Sequence, residues 1–330
     1  HDTMRAVLDW ATTNAPARGL RLAGMLGWFW YLRGNSAEAK GRFESLLAMV
    51  DEGADSRSLG DGYFFASLCD SYPERAREGF ELAVEAYREA GYVPGLANAQ
   101  AMIAAFGFDL SETIALLDQA ADLSAESGYE WGVALIRFLQ TGATVNDGDT
   151  ATAARLAQEA TSRFAALGDS WGQGYSLYFW GSMLRALGDY DGAEGAFREA
   201  LEHARPMRLR REMAPVMSEL ASIETMRGNF DEAERWLADA QRYADEVPFA
   251  GSRGMVRNAR GRLARMRGLL DEARTLHEEA LALYEDADAH GGLAYSHSCL
   301  GFTSELAGAF GEAREHHQAA LDHARASSDV

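Results

Sequence analysis

Lysine, cysteine and proline are scarce in this sequence of 330 residues, which holds one lysine, two cysteines and six prolines. Cys69 and Cys299 lie far apart in the chain, which predicts free thiols in a reducing compartment, the cytoplasm. The most apolar stretch, residues 22–32, contains two glycines and is shorter than the roughly 20 residues that span a bilayer. We therefore expect neither a disulfide framework nor a membrane segment.

The motifs of common catalytic sites are also missing. No lysine follows a glycine, as a P-loop requires, and the patterns HExxH, GxSxG and CxxC do not occur. Histidines gather late in the chain, and His316 and His323 lie seven residues apart on one predicted helix. A metal site there is one alternative, but imidazoles that replace aromatic rings are favoured because no tetrahedral ligand set is present. The sequence thus predicts no catalytic residue, metal or cofactor, and an enzyme is the weakest hypothesis.

Negative charge dominates the chain, since 50 Asp and Glu residues against 31 Lys and Arg residues give a net charge of −19. Phosphate backbones are bound by positive surface, so we do not expect direct nucleic acid binding. An acidic surface instead keeps an extended array of repeats soluble.

A 40-residue repeat organises the later part of the chain. Its clearest column is glycine, at Gly148, Gly188, Gly228, Gly268 and Gly308. A column of alanine follows five residues later, at Ala153, Ala193, Ala233, Ala273 and Ala313. A column of small residues lies twelve before those alanines, at Thr141, Gly181, Ala221, Gly261 and Gly301. Weaker copies precede them. Together they predict about eight helical pairs with turns near residues 34, 71, 108, 148, 188, 228, 268 and 308.

The stretch from residue 171 to 205 shows how one pair forms. Gly188 follows the first helix, where a left-handed residue ends a helix without strain. Asp189 then caps the second helix. Gly181 is expected to let the second helix approach at Ala193, with Phe197 continuing the buried stripe. A single pair cannot bury its apolar stripe alone, so neighbouring pairs must stack on it.

The order of a small residue, a glycine turn, an Asp or Asn with an aromatic residue, Glu-Ala, Phe and Ala-Leu resembles the tetratricopeptide repeat. The resemblance covers nearly the whole chain. It implies an all-α, right-handed superhelical solenoid over residues 17–330, after an N-terminal capping or linker helix at residues 1–16. The period of 40 exceeds the usual value of about 34, and the proline that closes each repeat is absent. Both departures are similar to the longer repeats of large bacterial transcription regulators.

The first 39 residues support that context. Residues 1–14 and 20–39 resemble the junction after the nucleotide-binding module in actinobacterial regulators of the Streptomyces antibiotic regulatory protein type and related LuxR-type activators. Because the chain begins with His1, we expect a fragment, with nucleotide-binding and DNA-binding modules upstream of it. The resemblance implies a non-catalytic sensor or regulatory arm of a multidomain bacterial transcriptional regulator. The alternative is a constitutive protein–protein interaction scaffold without a ligand switch.

In such a solenoid the first helix of each pair lines a concave groove. The resemblance places the following residues there: Trp28, Tyr31, Phe65, Asn98, Met102, Phe138, Tyr178, Ser182, Arg185, Asn258, Arg262, Arg265, Tyr295 and Phe302. Aromatic rings, amides and arginines suit a peptide, a protein or a small anionic ligand. The lysine clamp of some tetratricopeptide proteins is excluded, because Lys40 is the single lysine. The competing interpretation is that the rings pack between helices and the arginines are solvated.

Overall fold

A computed structural model describes residues 2–33, 35–50, 53–70, 73–105, 110–207, 209–246, 250–287 and 289–329. These residues form seventeen α helices and no β strand. The helices are α1 (Asp2–Asn14), α2 (Pro16–Leu32), α3 (Ser36–Met49), α4 (Ser56–Leu68), α5 (Pro73–Glu89), α6 (Val93–Ala105), α7 (Leu110–Glu126), α8 (Glu130–Asn146), α9 (Thr150–Ala166), α10 (Ser170–Ala186), α11 (Tyr190–Met207), α12 (Arg210–Met226), α13 (Phe230–Glu246), α14 (Ala250–Met266), α15 (Leu270–Glu285), α16 (His290–Leu306) and α17 (Phe310–Asp329). The predicted turns near residues 34, 71 and 108 lie outside the described residues. Within the described ranges, no helix is both long and apolar enough to cross a membrane.

Contacts between the helices group the chain into two compact units, unit 1 at residues 1–147 and unit 2 at residues 148–330. In unit 1, α1 packs on α2 and α3, and the hairpins α2/α3, α4/α5 and α6/α7 form. In unit 2, the hairpins are α10/α11, α12/α13, α14/α15 and α16/α17. The helices of the predicted fourth pair fall in different units, where α8 packs on α7 and α9 packs on α10. The predicted all-α class with helical hairpins is confirmed, whereas the assignment of residues 17–330 to one domain stays a prediction.

Each hairpin of unit 2 turns at a glycine with left-handed backbone. Gly188 has a φ of 86°, and the equivalent glycines of the next three hairpins have φ of 80°, 80° and 76°. The amide of Asp189 donates to the Leu184 carbonyl over 2.9 Å, which closes the last turn of α10 in the Schellman pattern. The Asp189 carboxylate accepts from the Gly192 amide over 2.9 Å and caps α11. The predicted glycine stop and aspartate cap are thus confirmed.

The hairpin cores pair a small residue on the first helix with a large one on the second. A Cβ at Gly181 would lie 2.8 Å from the ring of Phe197, and a Cβ at Gly261 would lie 2.5 Å from the ring of His277. Both rings are fully buried. Phe197, one turn after Ala193 and in the predicted buried stripe, extends its ring over Gly181, while the close approach at Ala193 stays a prediction.

Candidate functional site

The first helices of unit 2 present one continuous face, because α12 packs along α14 and α14 packs along α16. Three arginines lie on this face: Arg185 on α10, and Arg262 and Arg265 on α14. We call them the arginine cluster. Arg185 and Arg265 lie in the last turns of their helices, where a cation is stabilised by the helix dipole. Their position therefore has a structural reason.

Polar side chains on α12 hold two of the arginines in place. The Nε atom of Arg185 lies 2.8 Å from Oε2 of Glu219, an ion pair whose angle is not that of an aligned hydrogen bond. The guanidinium of Arg262 donates to the hydroxyl of Ser222. That hydroxyl in turn donates to the Ser218 carbonyl over 2.6 Å. The Ser222 oxygen is thus oriented as an acceptor, and the long side chain of Arg262 is preorganised.

Two aromatic rings on α16 support the arginines of α14. The guanidinium carbon of Arg262 lies 5.7 Å from the ring centre of Tyr295, and that of Arg265 lies 5.5 Å from the ring centre of Phe302. These are cation–π distances. Burial raises the pKa of Tyr295 to about 12, yet 41% of this residue is accessible to solvent. Protein atoms therefore pack around part of the phenol while another part of the residue faces solvent.

The arginine cluster carries unused hydrogen-bonding capacity. Arg262 Nε and Arg265 Nη1 are buried and have no acceptor among the described residues. The three arginines and Glu219 together leave a local charge of +2, in a chain whose net charge is −19. An anionic group at this cluster would gain charge-assisted hydrogen bonds and a favourable field.

A buried polar chain lies beneath the cluster. His277 Nδ1 lies 2.9 Å from Asn258 Oδ1, so the imidazole donates there, and Asn258 Nδ2 donates to the Ser296 hydroxyl over 2.9 Å. Burial, together with the nearby cations of Arg265 and Arg262, lowers the pKa of His277 to about 3. Asn258 is fully buried, so the structure places it under the face as a support and not on it.

A partly open cavity of about 230 Å³ lies at the N-terminal ends of the same first helices. We call it the aromatic pocket. It is lined by Trp171, Gly174, Tyr175, Tyr178, Phe179, Ala200, Ala204, Leu209, Glu212, Pro215, Val216 and Met255. Among these, only Glu212 carries a formal charge. The pocket lies about two helical turns from the arginine cluster, since Tyr178 and Arg185 are seven residues apart, as are Met255 and Arg262.

The predicted groove residues of unit 1 pack against one another. Trp28 lies 5.6 Å from Phe65 and 5.6 Å from Trp131 between ring centres, so rings of α2, α4 and α8 meet. Tyr31 joins them at 6.0 Å from Trp28. Phe65 is buried at 5% exposure. In unit 1 the first-helix face is therefore occupied by an aromatic core.

Of the remaining predicted residues of unit 1, Asn98 and Met102 are buried and Phe138 is partly accessible. Asn98 is buried and donates to the hydroxyl of Tyr129 over 3.1 Å. Burial raises the pKa of that phenol to about 12. Met102 is buried at 7% exposure, whereas Phe138 on α8 is partly accessible.

In unit 2 the structure brings most of the predicted residues to one face. Tyr178 lines the aromatic pocket, and the Ser182 hydroxyl donates back to the Tyr178 carbonyl over 3.0 Å. Sequence reasoning missed Glu219 and Ser222. The repeat could have revealed Ser222, because it lies 40 residues after Ser182 and 40 before Arg262 in the same column. The role of the predicted groove residues in binding stays a prediction.

Histidines form a separate feature of the last hairpin. His290 and His323 approach to 3.1 Å between their Nδ1 atoms, and so do His297 and His316. In the described part of the chain, no group of three or more His, Cys, Asp or Glu side chains is arranged to hold a metal ion.

Comparison with known proteins supports the repeat. Residues 212–286 match the tetratricopeptide repeat model. This match spans the hairpins α12/α13 and α14/α15, and it confirms the resemblance predicted from the sequence. No curated protein sequence matches this chain.

Solved structures share the fold at low sequence identity. Aspartyl phosphate phosphatase F from Bacillus subtilis is 12% identical, with a TM-score of 0.65 over 94% of this chain and 94% of that chain. The apo form of RapI is 12% identical, with a TM-score of 0.61 over 92% of this chain and 83% of that chain. A signal transduction ATPase with numerous domains from Pyrococcus horikoshii, which has a tetratricopeptide repeat sensor, is 15% identical. Its TM-score is 0.61 over 98% of this chain and 52% of that chain. These similarities establish the fold alone, an all-α helical repeat.

Proposed function

We propose that this chain binds an acidic peptide segment of a partner protein on the first-helix face of unit 2. The observation that carries the proposal is the arginine cluster, three cations in a strongly acidic chain, of which Arg262 and Arg265 lie over aromatic rings. Arginine binds carboxylates with well-oriented, charge-assisted hydrogen bonds. The net negative charge of the chain would repel acidic segments that do not reach the cluster, which gives the site selectivity.

The proposed biological role is that of a sensor or regulatory arm in a multidomain bacterial transcriptional regulator in the cytoplasm. Support comes from the sequence resemblance at residues 1–39 and from the fold shared with a protein whose sensor is built of tetratricopeptide repeats. Peptide binding would then act by favouring one of two arrangements of the full-length protein. The coding sequence upstream of His1 tests this context, because a nucleotide-binding module there is expected and its absence would favour the scaffold.

The alternative remains a constitutive scaffold without a switch. The same face would then hold its partner at all times, and partner binding would change no activity elsewhere in the full-length protein. A direct comparison of the full-length protein's nucleotide hydrolysis with and without bound peptide separates the two roles, since only the switch predicts a change.

A display selection tests the binding proposal. A random library of ten-residue peptides would be selected on the wild-type chain and on the double variant Arg262→Gln/Arg265→Gln. We expect peptides enriched in Asp and Glu on the wild type and loss of that enrichment on the double variant. A matched control is Arg235→Gln, which removes one positive charge at an exposed position of α13. Equal enrichment on all three proteins, or no acidic preference, would contradict the proposal.

A further inference from the structure

The aromatic pocket has a physical origin in the repeat. In the α14/α15 hairpin, a Cβ at Gly254 would lie 2.4 Å from the ring of Tyr284, so that ring fills the space beside the glycine. The equivalent residues in the α10/α11 hairpin, 80 positions earlier, are Gly174 and Ala204. Both are small, and both line the pocket. The cavity is therefore the space that a tyrosine ring fills two hairpins later.

The size of the pocket limits what it can receive. Sites for whole drug-sized molecules have volumes of about 300–1,000 Å³, whereas this cavity measures about 230 Å³. A cavity below that range suits one large side chain better than a whole ligand. Its walls are mainly aromatic and aliphatic, which favours an apolar group.

The position of the pocket connects it to the arginine cluster. Met255 in the pocket wall and Arg262 are seven residues apart on α14, which places them on one helix face about 10 Å apart. Side chains lean toward the N-terminus of their helix, so the guanidinium extends back toward the pocket. An extended peptide rises by about 3.3 Å per residue, so roughly two or three residues separate groups that reach both places.

We infer that the aromatic pocket receives a large apolar side chain of the acidic peptide, two or three residues from the carboxylate that meets the arginines. This inference rests on the proposed function and specifies its ligand class. The peptide is held at two points, an apolar anchor and an anionic anchor, and their spacing sets its specificity.

A substitution at Gly174 can fill the aromatic pocket without disturbing the helix. A Cβ at this position meets the His203 side chain only at 3.4 Å, an ordinary contact, so Gly174→Leu adds a side chain at the pocket wall with little strain. Its matched control is Gly195→Leu on α11, where a Cβ meets nothing within 4 Å. Both changes replace a helical glycine by leucine and should raise helix stability alike. Only the first should alter the pocket.

The experiment repeats the display selection on the wild type, Gly174→Leu and Gly195→Leu, and follows one enriched peptide by fluorescence anisotropy. On the wild type and on Gly195→Leu, we expect peptides with a Trp, Phe, Leu or Met two or three residues from an Asp or Glu. Replacing that apolar residue by Ala should weaken binding about tenfold or more on these two proteins. On Gly174→Leu the same replacement should change binding less than twofold. Circular dichroism melting confirms that each variant is folded.

Two results would overturn the inference, and they are distinguishable from failure of the proposed function. Acidic enrichment without any preference for an apolar residue would leave the arginine site standing and remove the pocket from recognition. The same conclusion follows if Gly174→Leu keeps the full apolar preference. Selection that enriches no acidic residue contradicts both the proposed function and this inference. As a second pocket variant, Ala204→Leu checks the result from the opposite wall.

Discussion

His277 shows how one residue can be both structural and titratable. Its ring covers Gly261, occupies the column that holds Phe197 two hairpins earlier, and is fully buried. Its Nδ1 atom bonds to Asn258, which in turn holds Ser296. Arg262 and Arg265 oppose a positive charge on the ring. The neutral imidazole is therefore part of the buried polar chain that lies beneath the arginine cluster.

Acidification should destabilise the protein through His277. Its folded-state pKa of about 3 lies below the unfolded-state value of about 6.5, so unfolding takes up a proton between these values. The contribution of His277 to the free energy of unfolding is fully present above about pH 6.5. As the pH drops below that value, this contribution falls by about 1.4 kcal/mol per pH unit. Urea unfolding between pH 7 and 4 measures the slope. His277→Leu should flatten it, while the control His203→Gln should not, and an unchanged slope in His277→Leu would refute this assignment.

Gly181 makes a second prediction at the same scale. A leucine there would drive its side chain into the ring of Phe197, because even a Cβ would lie at 2.8 Å. Overpacking of this kind costs about 1–3 kcal/mol of unfolding free energy. Calorimetry or denaturant unfolding of Gly181→Leu measures the loss, and Gly195→Leu serves as the unstrained control. A neutral effect at Gly181 would mean that the two helices pair differently.

Single residues also mark the limit of what the sequence predicts. The small column at Gly181 follows from the repeat, but the identity of the large partner depends on side-chain reach, and Phe197 was not singled out as that partner. Glu219 is not among the predicted site residues. Its ion pair with Arg185 joins two different hairpins, and a repeat column does not predict such a contact. Asn258 was predicted on the surface, since a repeat column gives a helix face and not the depth of burial on that face.

At the scale of one element, the α16/α17 hairpin contains a row of four imidazoles. The outer contacts join His290 to His323 and His297 to His316 at 3.1 Å, and the rings of His297 and His323 stack 5.5 Å apart. A neutral pair can share one hydrogen bond between its Nδ1 atoms, but two protonated rings repel at this distance. Protonation of His297 should therefore weaken this hairpin as the pH falls.

Burial, followed by the neighbouring His316 and His323, lowers the pKa of His297, while Glu285 on α15 opposes the shift. A lowered histidine pKa contributes stability above the unfolded-state value of about 6.5, and this stability is lost as the pH falls below it. Hydrogen exchange, corrected for intrinsic rates, should show α17 losing protection between pH 7.5 and 5.5.

The matched variant for this hairpin is His316→Leu/His323→Leu, because leucine occupies both columns in the preceding hairpin, at residues 276 and 283. Its α17 amides should keep their protection at pH 5.5. If the double variant loses as much protection as the wild type, the imidazole row is not the cause.

The sequence predicts the ends of helices where a glycine or a capping residue marks them. The glycine stops of the later hairpins and the Asp189 cap lie where the 40-residue spacing predicts them. The pairing of α8 with α9, which the same spacing predicts, stays a prediction, because the two helices belong to different units. Periodicity places helices and turns along the chain, whereas the partner of each helix depends on packing that a repeat column does not encode.

At the scale of the molecule, the first-helix faces distinguish the two units. Unit 1 fills its first-helix face with aromatic rings, while unit 2 combines an arginine cluster with an open pocket. The acidic balance of the chain follows from composition, whereas the arginines of α10 and α14 are expected on this face from the tetratricopeptide resemblance. The pocket was not foreseen, because it arises where two small residues, Gly174 and Ala204, face each other across helices.

The measurement that tests the central claim most directly is the affinity of one selected acidic peptide for the wild type, Arg262→Gln/Arg265→Gln and Arg235→Gln, by anisotropy at two salt concentrations. We expect the double variant to bind at least tenfold more weakly with a nearly unchanged melting temperature, and Arg235→Gln to bind like the wild type. Wild-type affinity should fall as salt rises. Unchanged affinity in the double variant, or a loss matched by unfolding, would contradict an anion-binding site at the arginine cluster.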